Sequence, residues 1–300
     1  ICLLGCGGTI AMRHSDHGLV PSANISNILE AVPILRELAQ IDAFDILNKD
    51  STNMRPCDWT TIANAVKERI ADYDAFVVTH GTDTMAYSAG ALSLAFGHAL
   101  PAPVIFTGSQ LPLVDIGTDA RFNLENAFRV AIQAIIDDIA EVMVSFAHSI
   151  LRGSRARKSN EVDFNAFDSP ACEPLAALQH NVVFDTHAFR RSSISECKYL
   201  PDFKDGVFHV RLTPGISPEF LSAVFQSRKV KGVILESFGA GNVPNDSVNN
   251  YTLTPVIREL VNEYDVPIVV TSSFVGGRVR QGLYKSGSDA QAAGAITAGD

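Results

Sequence analysis

The sequence predicts an α/β protein of two domains: a large N-terminal, mostly parallel sheet flanked by helices, followed by a smaller C-terminal α/β domain. Three observations carry this expectation. Apolar, β-branched runs alternate with segments of helical periodicity. Several of the strand-like runs end in short glycine and hydroxyl turns. The alternation lapses from about Asp185 to Thr213 and then resumes. The boundaries read as 1–185 for the first domain, 186–213 for a linker and 214–300 for the second.

The elements follow in order. Ile1–Gly5 opens with the uniformly apolar Ile1-Cys2-Leu3-Leu4, as a strand covered on both faces requires. Phe44–Leu47 is the next strand candidate. Asp58 stands where it can cap a helix in which Trp59, Ile62, Ala63, Val66 and Ile70 recur at helical spacing. Ala75–Thr79 and Val104–Thr107 continue the strand set. A helix from Arg121 to about Ile136 turns Leu124, Ala127, Phe128, Ala131 and Ile135 inward, and Glu141–Phe146 is the fifth strand. In the second domain Lys231–Leu235 and Pro267–Thr271 read as short buried strands and Pro255–Tyr264 as a helix. The chain starts at Ile1 inside a strand pattern without an initiator methionine. Ile296–Asp300 reads as the start of a helix, so the true termini are expected to lie beyond both ends.

Composition removes several function classes. Hydrophobic residues are 46% and charged residues 19%, which describes a globular chain. A net charge of −9 argues against a nucleic-acid surface, which is usually basic. No apolar run approaches the length that spans a bilayer, so no membrane partner is expected. Cys2, Cys6, Cys57, Cys172 and Cys197 are odd in number and scattered, and read as reduced, small core residues of a cytoplasmic protein. Cys2 and Cys6 lack a second ligand pair at zinc-site spacing.

The chemistry concentrates in the turns. Thr79-His80-Gly81-Thr82-Asp83-Thr84-Met85 joins a strand to a helix, and such turns set polar groups beside a helix N-terminus. A hydroxyl is a weak nucleophile until a base takes its proton, and Lys158 beside Asp83 would form a buried ion pair able to relay a proton through Thr82. The bland alternative for Lys158 is a solvated loop lysine. Gly7-Gly8-Thr9-Ile10 repeats the hydroxyl design, and glycine permits close backbone approach to a ligand; otherwise Thr9 is a strand-ending, solvent-facing residue. Asp50-Ser51-Thr52-Asn53-Met54 suits either a polar ligand or a helix-entry turn. Thr107-Gly108-Ser109-Gln110 either adds a backbone N–H to an oxyanion hole or is only a turn. The polar segment Met12–Ser22 reads as a lid or an ordinary loop. His80 reads as a structural turn residue rather than a general base.

Gly7-Gly8-Thr9-Ile10-Ala11-Met12 and His80-Gly81-Thr82-Asp83-Thr84-Met85-Ala86-Tyr87 resemble the two signatures of the bacterial-type L-asparaginases. The first six residues and Asp50-Ser51 look most like the cytoplasmic type I branch. The resemblance continues through Thr107–Gln110, Arg152-Gly153-Ser154-Arg155 with Lys158, Phe167-Asp168-Ser169-Pro170 and Ser237-Phe238-Gly239-Ala240-Gly241-Asn242. It implies the two-domain asparaginase-like fold and hydrolysis of the side-chain amide of L-asparagine to L-aspartate and ammonia. By this resemblance Thr9 is the nucleophile, and Thr82, Asp83 and Lys158 form a second hydroxyl centre. Ser51 and Asp83 hold the substrate's α-carboxylate and α-amino groups, with Asp50 and Thr52 lining the site. Ser109 is a further binding candidate from the third turn. No cofactor or metal is implied. The family also implies a homodimer or homotetramer, in which the C-terminal domain of one copy, with Asn242, completes a neighbour's site.

One position departs from the pattern. Members commonly carry a lid tyrosine in a Gly-Tyr-x-Pro context, and this chain has Gly18-Leu19-Val20-Pro21. Leu19 has no hydroxyl and cannot relay a proton. Two other readings share the motifs: the amidase component of a tRNA-dependent amidotransferase, disfavoured by the acidic charge, and a non-catalytic amino-acid sensor, favoured by Leu19.

Overall fold

The computed structural model describes residues 1–16, 18–21, 24–225 and 229–298. The chain divides into two compact units, Ile1–Phe203 and Lys204–Asp300. In the first, the strands are β1 (Cys2–Gly7), β2 (Met12–Ser15), β3 (Gly18–Pro21), β4 (Asp42–Lys49), β5 (Phe76–Thr79), β6 (Val104–Thr107), β7 (Val142–Phe146), β8 (Ser149–Arg152), β9 (Arg157–Lys158), β10 (Phe167–Asp168), β11 (Ala176–Leu178) and β12 (Val182–Phe184). The helices are α1 (Ile25–Ala31), α2 (Leu35–Leu38), α3 (Pro56–Arg69), α4 (Thr82–Phe96) and α5 (Ala120–Ile136).

One sheet organises this unit, in the order β12-β11-β8-β7-β6-β5-β1-β4. The pairings from β4 through β1, β5 and β6 to β7 are parallel, and β8, β11 and β12 continue the sheet antiparallel. The uniform apolarity of the strands has a direct cause: alternate residues bury against helices on opposite faces. Leu4, Val78 and Phe106 pack with Ile62 and Val66 of α3 and Met85 and Leu92 of α4. Leu3, Val77 and Ile105 pack with Ile28 of α1 and Leu124, Phe128 and Ala131 of α5.

Several expectations need correction. Helix α3 starts at Pro56, and Asp58 is its third residue rather than its cap. Asp58 still closes the helix end, because its carboxylate accepts the Arg55 backbone N–H at 2.9 Å and the Lys49 ammonium at 2.7 Å. Proline at the first helical position needs no hydrogen-bond partner for its nitrogen, which sets the earlier start. Of the cysteines only Cys2 and Cys6 are core residues; Cys57 is exposed, and Cys172 and Cys197 are partly so. Burial pushes the Cys2 thiol up to about 12, which leaves it protonated and unreactive at neutral pH.

The second unit holds β13 (Val207–Arg211), β14 (Gly232–Ser237), β17 (Ile268–Ser272) and β18 (Ile296–Thr297) in one parallel sheet, in that order. Between them lie α6 (Pro218–Phe225), a short ribbon of β15 (Asn245–Asp246) and β16 (Tyr251–Thr252), α7 (Thr254–Glu263) and α8 (Lys285–Ala292). Strand β13 falls inside the segment read as linker, so ordered sheet begins earlier than its sequence suggested. Only Val210 of that strand is buried, which weakened the apolar signal. Ile296-Thr297 is a strand, not the start of a helix: it pairs with Val269-Val270, and the Ala298 N–H donates to the Val270 carbonyl at 3.0 Å. Gly299 and Asp300 lie outside the described residues.

His80 fixes the end of β5. Its backbone N–H donates to the Thr107 carbonyl at 2.9 Å, which carries the β5–β6 pairing one residue past the strand. The ring is fully buried, with Nδ1 2.8 Å from the Gly81 carbonyl and Nε2 2.9 Å from the Ser88 hydroxyl. A carbonyl only accepts, so Nδ1 carries the proton and Nε2 accepts from Ser88. Burial lowers the imidazole from 6.5 to about 4, so His80 is neutral and structural at neutral pH. The unfolded chain takes up this proton near pH 6.5 and the folded chain does not until about pH 4. Stability therefore falls as pH falls through that window, by at most about 1.4 kcal/mol per unit from this group. Denaturant unfolding between pH 7 and 4.5 is expected to give a flatter pH dependence in His80→Gln than in the wild type; parallel curves would refute the assignment.

Candidate active site

The sheet order creates the site. From β1 the chain crosses to β4 on one side and later returns to β5 on the other. The connections diverge at this switch point, and the crevice lies beyond the carboxyl ends of the strands. Thr9 follows β1, Ser51 follows β4, Thr82 follows β5 and Gln110 follows β6. Backbone contact brings three of these turns together. A Cβ on Gly8 would lie 2.3 Å from the Gly81 nitrogen, and one on Gly81 would lie 2.6 Å from the Ser51 hydroxyl oxygen. Gly8 also has φ of 87°, where other residues are strained.

A cleft of about 440 Å³ opens over these turns, lined by Gly8, Thr9, Met12, Leu19, Asp50, Ser51, Gly81, Thr82, Asp83, Gln110, Lys158, Glu161 and Val162. Six of the residues expected from sequence are thus together: Thr9, Asp50, Ser51, Thr82, Asp83 and Lys158. Thr52 is not in the lining, and its hydroxyl donates to Asp50 at 2.9 Å. Ser109 is also absent from the lining; it is buried and donates to the Leu111 carbonyl at 2.5 Å. Gln110 takes its place. Both residues belong to the turn after β6, and it is the second that lines the cleft. A larger adjoining hollow, about 560 Å³, shares Asp83, Lys158 and Glu161 but contains neither threonine, so Thr9 and Thr82 meet only in the smaller one.

Thr82 is the first residue of α4 and is buried. Lys158 reaches it from β9, which pairs with β10 and is anchored there by buried Phe167. The ammonium donates to the Thr82 hydroxyl at 2.8 Å and to the Asp83 carboxylate at 2.7 Å. The Thr82 hydroxyl lies 3.2 Å from the Gln110 Oε1. Contrary to the expected buried ion pair, only the lysine is covered: the side chains are 15% exposed for Lys158 and 55% for Asp83. Asp83 sits in the first turn of α4, where the helix dipole favours its charge. Asp50 caps the turn Ser51–Asn53 by accepting the Thr52 N–H at 2.9 Å, and the Ser51 carbonyl accepts from Thr84 of α4 at 2.7 Å.

The polar segment after Thr9 is an antiparallel hairpin of β2 and β3, with Leu19 opposite His14. His14 Nε2 lies 2.9 Å from Asp115, tying the hairpin to the loop before α5. His17 and Ser22, also read as lid residues, lie outside the described residues. Leu19 is in the cleft wall at the position where the resemblance expects tyrosine. Among the described residues no group of three or more His, Cys, Asp and Glu side chains is arranged to hold a metal ion.

Comparison with known proteins agrees with this geometry. Residues 1–190 match the family model "Asparaginase, N-terminal", and residues 206–300 match "Glutaminase/Asparaginase C-terminal domain". The L-asparaginase of Thermococcus kodakarensis is 38% identical over 100% of this chain and 88% of its own length. Its solved structure superposes with a TM-score of 0.87 at 37% identity, covering 100% of this chain and 88% of that one. L-asparaginase 1 of Escherichia coli is 35% identical over 98% of this chain and 85% of its own length. A component of the Aeropyrum pernix glutamyl-tRNA(Gln) amidotransferase is 34% identical over 100% of this chain and 71% of its own length. With both family domains matched in order along a chain that carries the paired threonine turns, this protein belongs to the asparaginase family.

Proposed function

We propose that this chain is an L-asparagine amidohydrolase that releases L-aspartate and ammonia through an ester on Thr9. The observation that supports it is the convergence of Thr9 with the Thr82–Asp83–Lys158 cluster in one cleft, in a chain similar throughout to proteins named L-asparaginase. The Thr9 hydroxyl attacks the side-chain amide carbon of asparagine, and the amide nitrogen leaves as ammonia with the proton gained during the attack. Water then adds to the ester, hydrogen-bonded to the Thr82 oxygen that Lys158 holds in place, and its proton passes to the departing Thr9 oxygen, which restores the Thr9 hydroxyl. Asp83 receives the α-ammonium group, with Asp50 nearby in the lining. Ser51 receives the α-carboxylate, next to the N-terminus of α4, where partial positive charge favours an anion. The reading needs no metal or cofactor. Leu19 offers no proton path, so water in the cleft carries the Thr9 proton.

The protein reads as cytoplasmic, on its likeness to the type I branch; no described helix is long and apolar enough to cross a membrane. It reads further as a homodimer or homotetramer in which the C-terminal unit of a second copy, including Asn242, completes each site. Nucleic acid is not among its partners in this reading. The match to an amidotransferase component favours one alternative, an amidase that feeds ammonia to a tRNA-bound substrate. Glutamine-dependent transamidation with a partner protein would establish that alternative.

Ammonia release on L-asparagine, D-asparagine and L-glutamine measured side by side tests the main reading, with L-asparagine the expected substrate. Thr9→Ala and Lys158→Met are each expected to lower kcat by at least about 10³-fold while leaving thermal unfolding unchanged. Full activity of Thr9→Ala would refute the assignment, and calorimetric binding of asparagine without turnover would recast the protein as a sensor. Restoring a hydroxyl at the lid with Leu19→Tyr is expected to raise kcat by about tenfold or more, within the range of general acid–base effects. An unchanged rate would mean that Leu19 is not the limiting feature.

A further inference from the structure

We propose that Gln110 is a positioning residue that sets the direction of the Thr82 hydroxyl, and through it the seat of the attacking water. The inference rests on the amidohydrolase reading and adds a residue to the same site. It starts from the donor count at Thr82. A hydroxyl has one hydrogen and two lone pairs, and an ammonium only donates. Lys158 Nζ lies 2.8 Å from Thr82 Oγ1, so one lone pair faces the lysine. The single hydrogen must point elsewhere, and Gln110 Oε1 accepts it at 3.2 Å. The remaining lone pair is then directed away from both partners. Thr82 lines the cleft, so a water there has an acceptor for one of its protons.

The carboxamide of Gln110 is itself held in one orientation. Its Nε2 donates to the Asp163 carbonyl at 3.2 Å. Turning the amide over would face one carbonyl oxygen against another and point N–H groups at the Thr82 hydroxyl, leaving its hydrogen without an acceptor. The Asp163 carbonyl is fixed in turn, because Asn160 Oδ1 accepts the backbone N–H groups of Val162 at 2.8 Å and Asp163 at 3.1 Å. The Gln110 backbone is held as firmly. Its N–H donates to both oxygens of Asp119, at 3.0 and 3.1 Å, and the buried Asn123 donates to the same carboxylate at 2.9 Å. The chain of constraint thus runs from the start of α5 through Gln110 to Thr82. Gln110 cannot act as a base, and the effect proposed for it passes through the hydroxyl it orients.

Gln110→Met keeps the length of the side chain and removes the acceptor; Gln110→Glu keeps an acceptor opposite Thr82. Made beside Leu19→Tyr, so that the Thr9 proton does not limit turnover, Gln110→Met is expected to lose about tenfold in kcat on L-asparagine with KM within about threefold, the size of one misdirected hydrogen bond in a transition state. Gln110→Glu is expected to retain more of kcat than Gln110→Met. The loss is expected in the step that uses water. Hydroxylamine attacks the same ester through its nitrogen, giving the hydroxamate and free Thr9, and as a stronger nucleophile it depends less on a positioned acceptor. It should therefore recover turnover in Gln110→Met. A kcat within twofold of Leu19→Tyr alone, equal loss in both variants, or hydroxylaminolysis impaired as much as hydrolysis would each overturn the proposal. A wild-type protein that releases no ammonia from L-asparagine would instead remove the amidohydrolase reading on which it stands.

Discussion

The contact between Gly8 and Gly81 is the constraint on which the site depends. A side-chain carbon on Gly8 would lie 2.3 Å from the Gly81 nitrogen, closer than any real contact, and the neighbouring atoms are backbone that cannot swing away. The turn after β1 and the turn after β5 therefore touch through their main chains. The two threonines that follow these glycines are brought over one cleft by this approach, not by their own side chains. Ser51 belongs to the same packing, since Gly81 also lies against it. The sheet supplies the underlying order: β1 has β4 on one side and β5 on the other, so the turns that leave them are neighbours by topology. The buried His80 ring pins the Gly81 carbonyl on one side and Ser88 of α4 on the other, holding the turn to the helix it starts.

Within this frame the charged groups arrive from outside the sheet. Lys158 comes from a two-stranded ribbon, and its ammonium joins a buried hydroxyl to a half-exposed carboxylate. That asymmetry matters chemically. An exposed carboxylate is well solvated and screened, so it stabilises the lysine charge less than a buried one would. Asp83 consequently remains open to a ligand's amino group while still orienting the lysine.

Much of this was legible in the sequence, and what was not has physical causes. The parallel strands were visible because both faces are buried, so Ile1–Leu4 and Val104–Thr107 read as continuous apolar runs. The antiparallel extension was not: β11 and β12 have three residues each, and the middle residues Ala177 and Val183 are exposed. The hairpin after Thr9 escaped because only Met12 among the residues of β2 is buried. Of the residues singled out, Thr9, Ser51, Thr82 and Lys158 line one cleft, the first three because turns after neighbouring strands open on the same edge of the sheet. Ser109 and Thr52 are outside that lining, and their hydroxyls are engaged by local acceptors, Leu111 and Asp50. Gln110 was not singled out, and the contact that orients its amide comes from Asp163, in a loop far along the sequence.

The two threonines are the same chemical group in different surroundings, and the contrast bears on their proposed roles. Thr82 is buried, with its oxygen facing a cation at 2.8 Å and its hydrogen directed at an amide oxygen at 3.2 Å. A lone pair engaged by an ammonium is less available for attack on carbon, whereas the other lone pair can still accept a hydrogen bond from water. Thr9 is partly exposed on a single turn, beside the backbone of Gly8 and in the same cleft wall as Leu19. Its hydroxyl has no comparable cation pressed against it in the described contacts. The two hydroxyls thus differ in surroundings in the sense that the proposed roles require, with Thr9 forming the bond and Thr82 accepting from water. In the proposed reaction the first step turns on removal of the Thr9 proton, for which Leu19 in the cleft wall offers no path. A site built this way would have its second half-reaction better organised than its first.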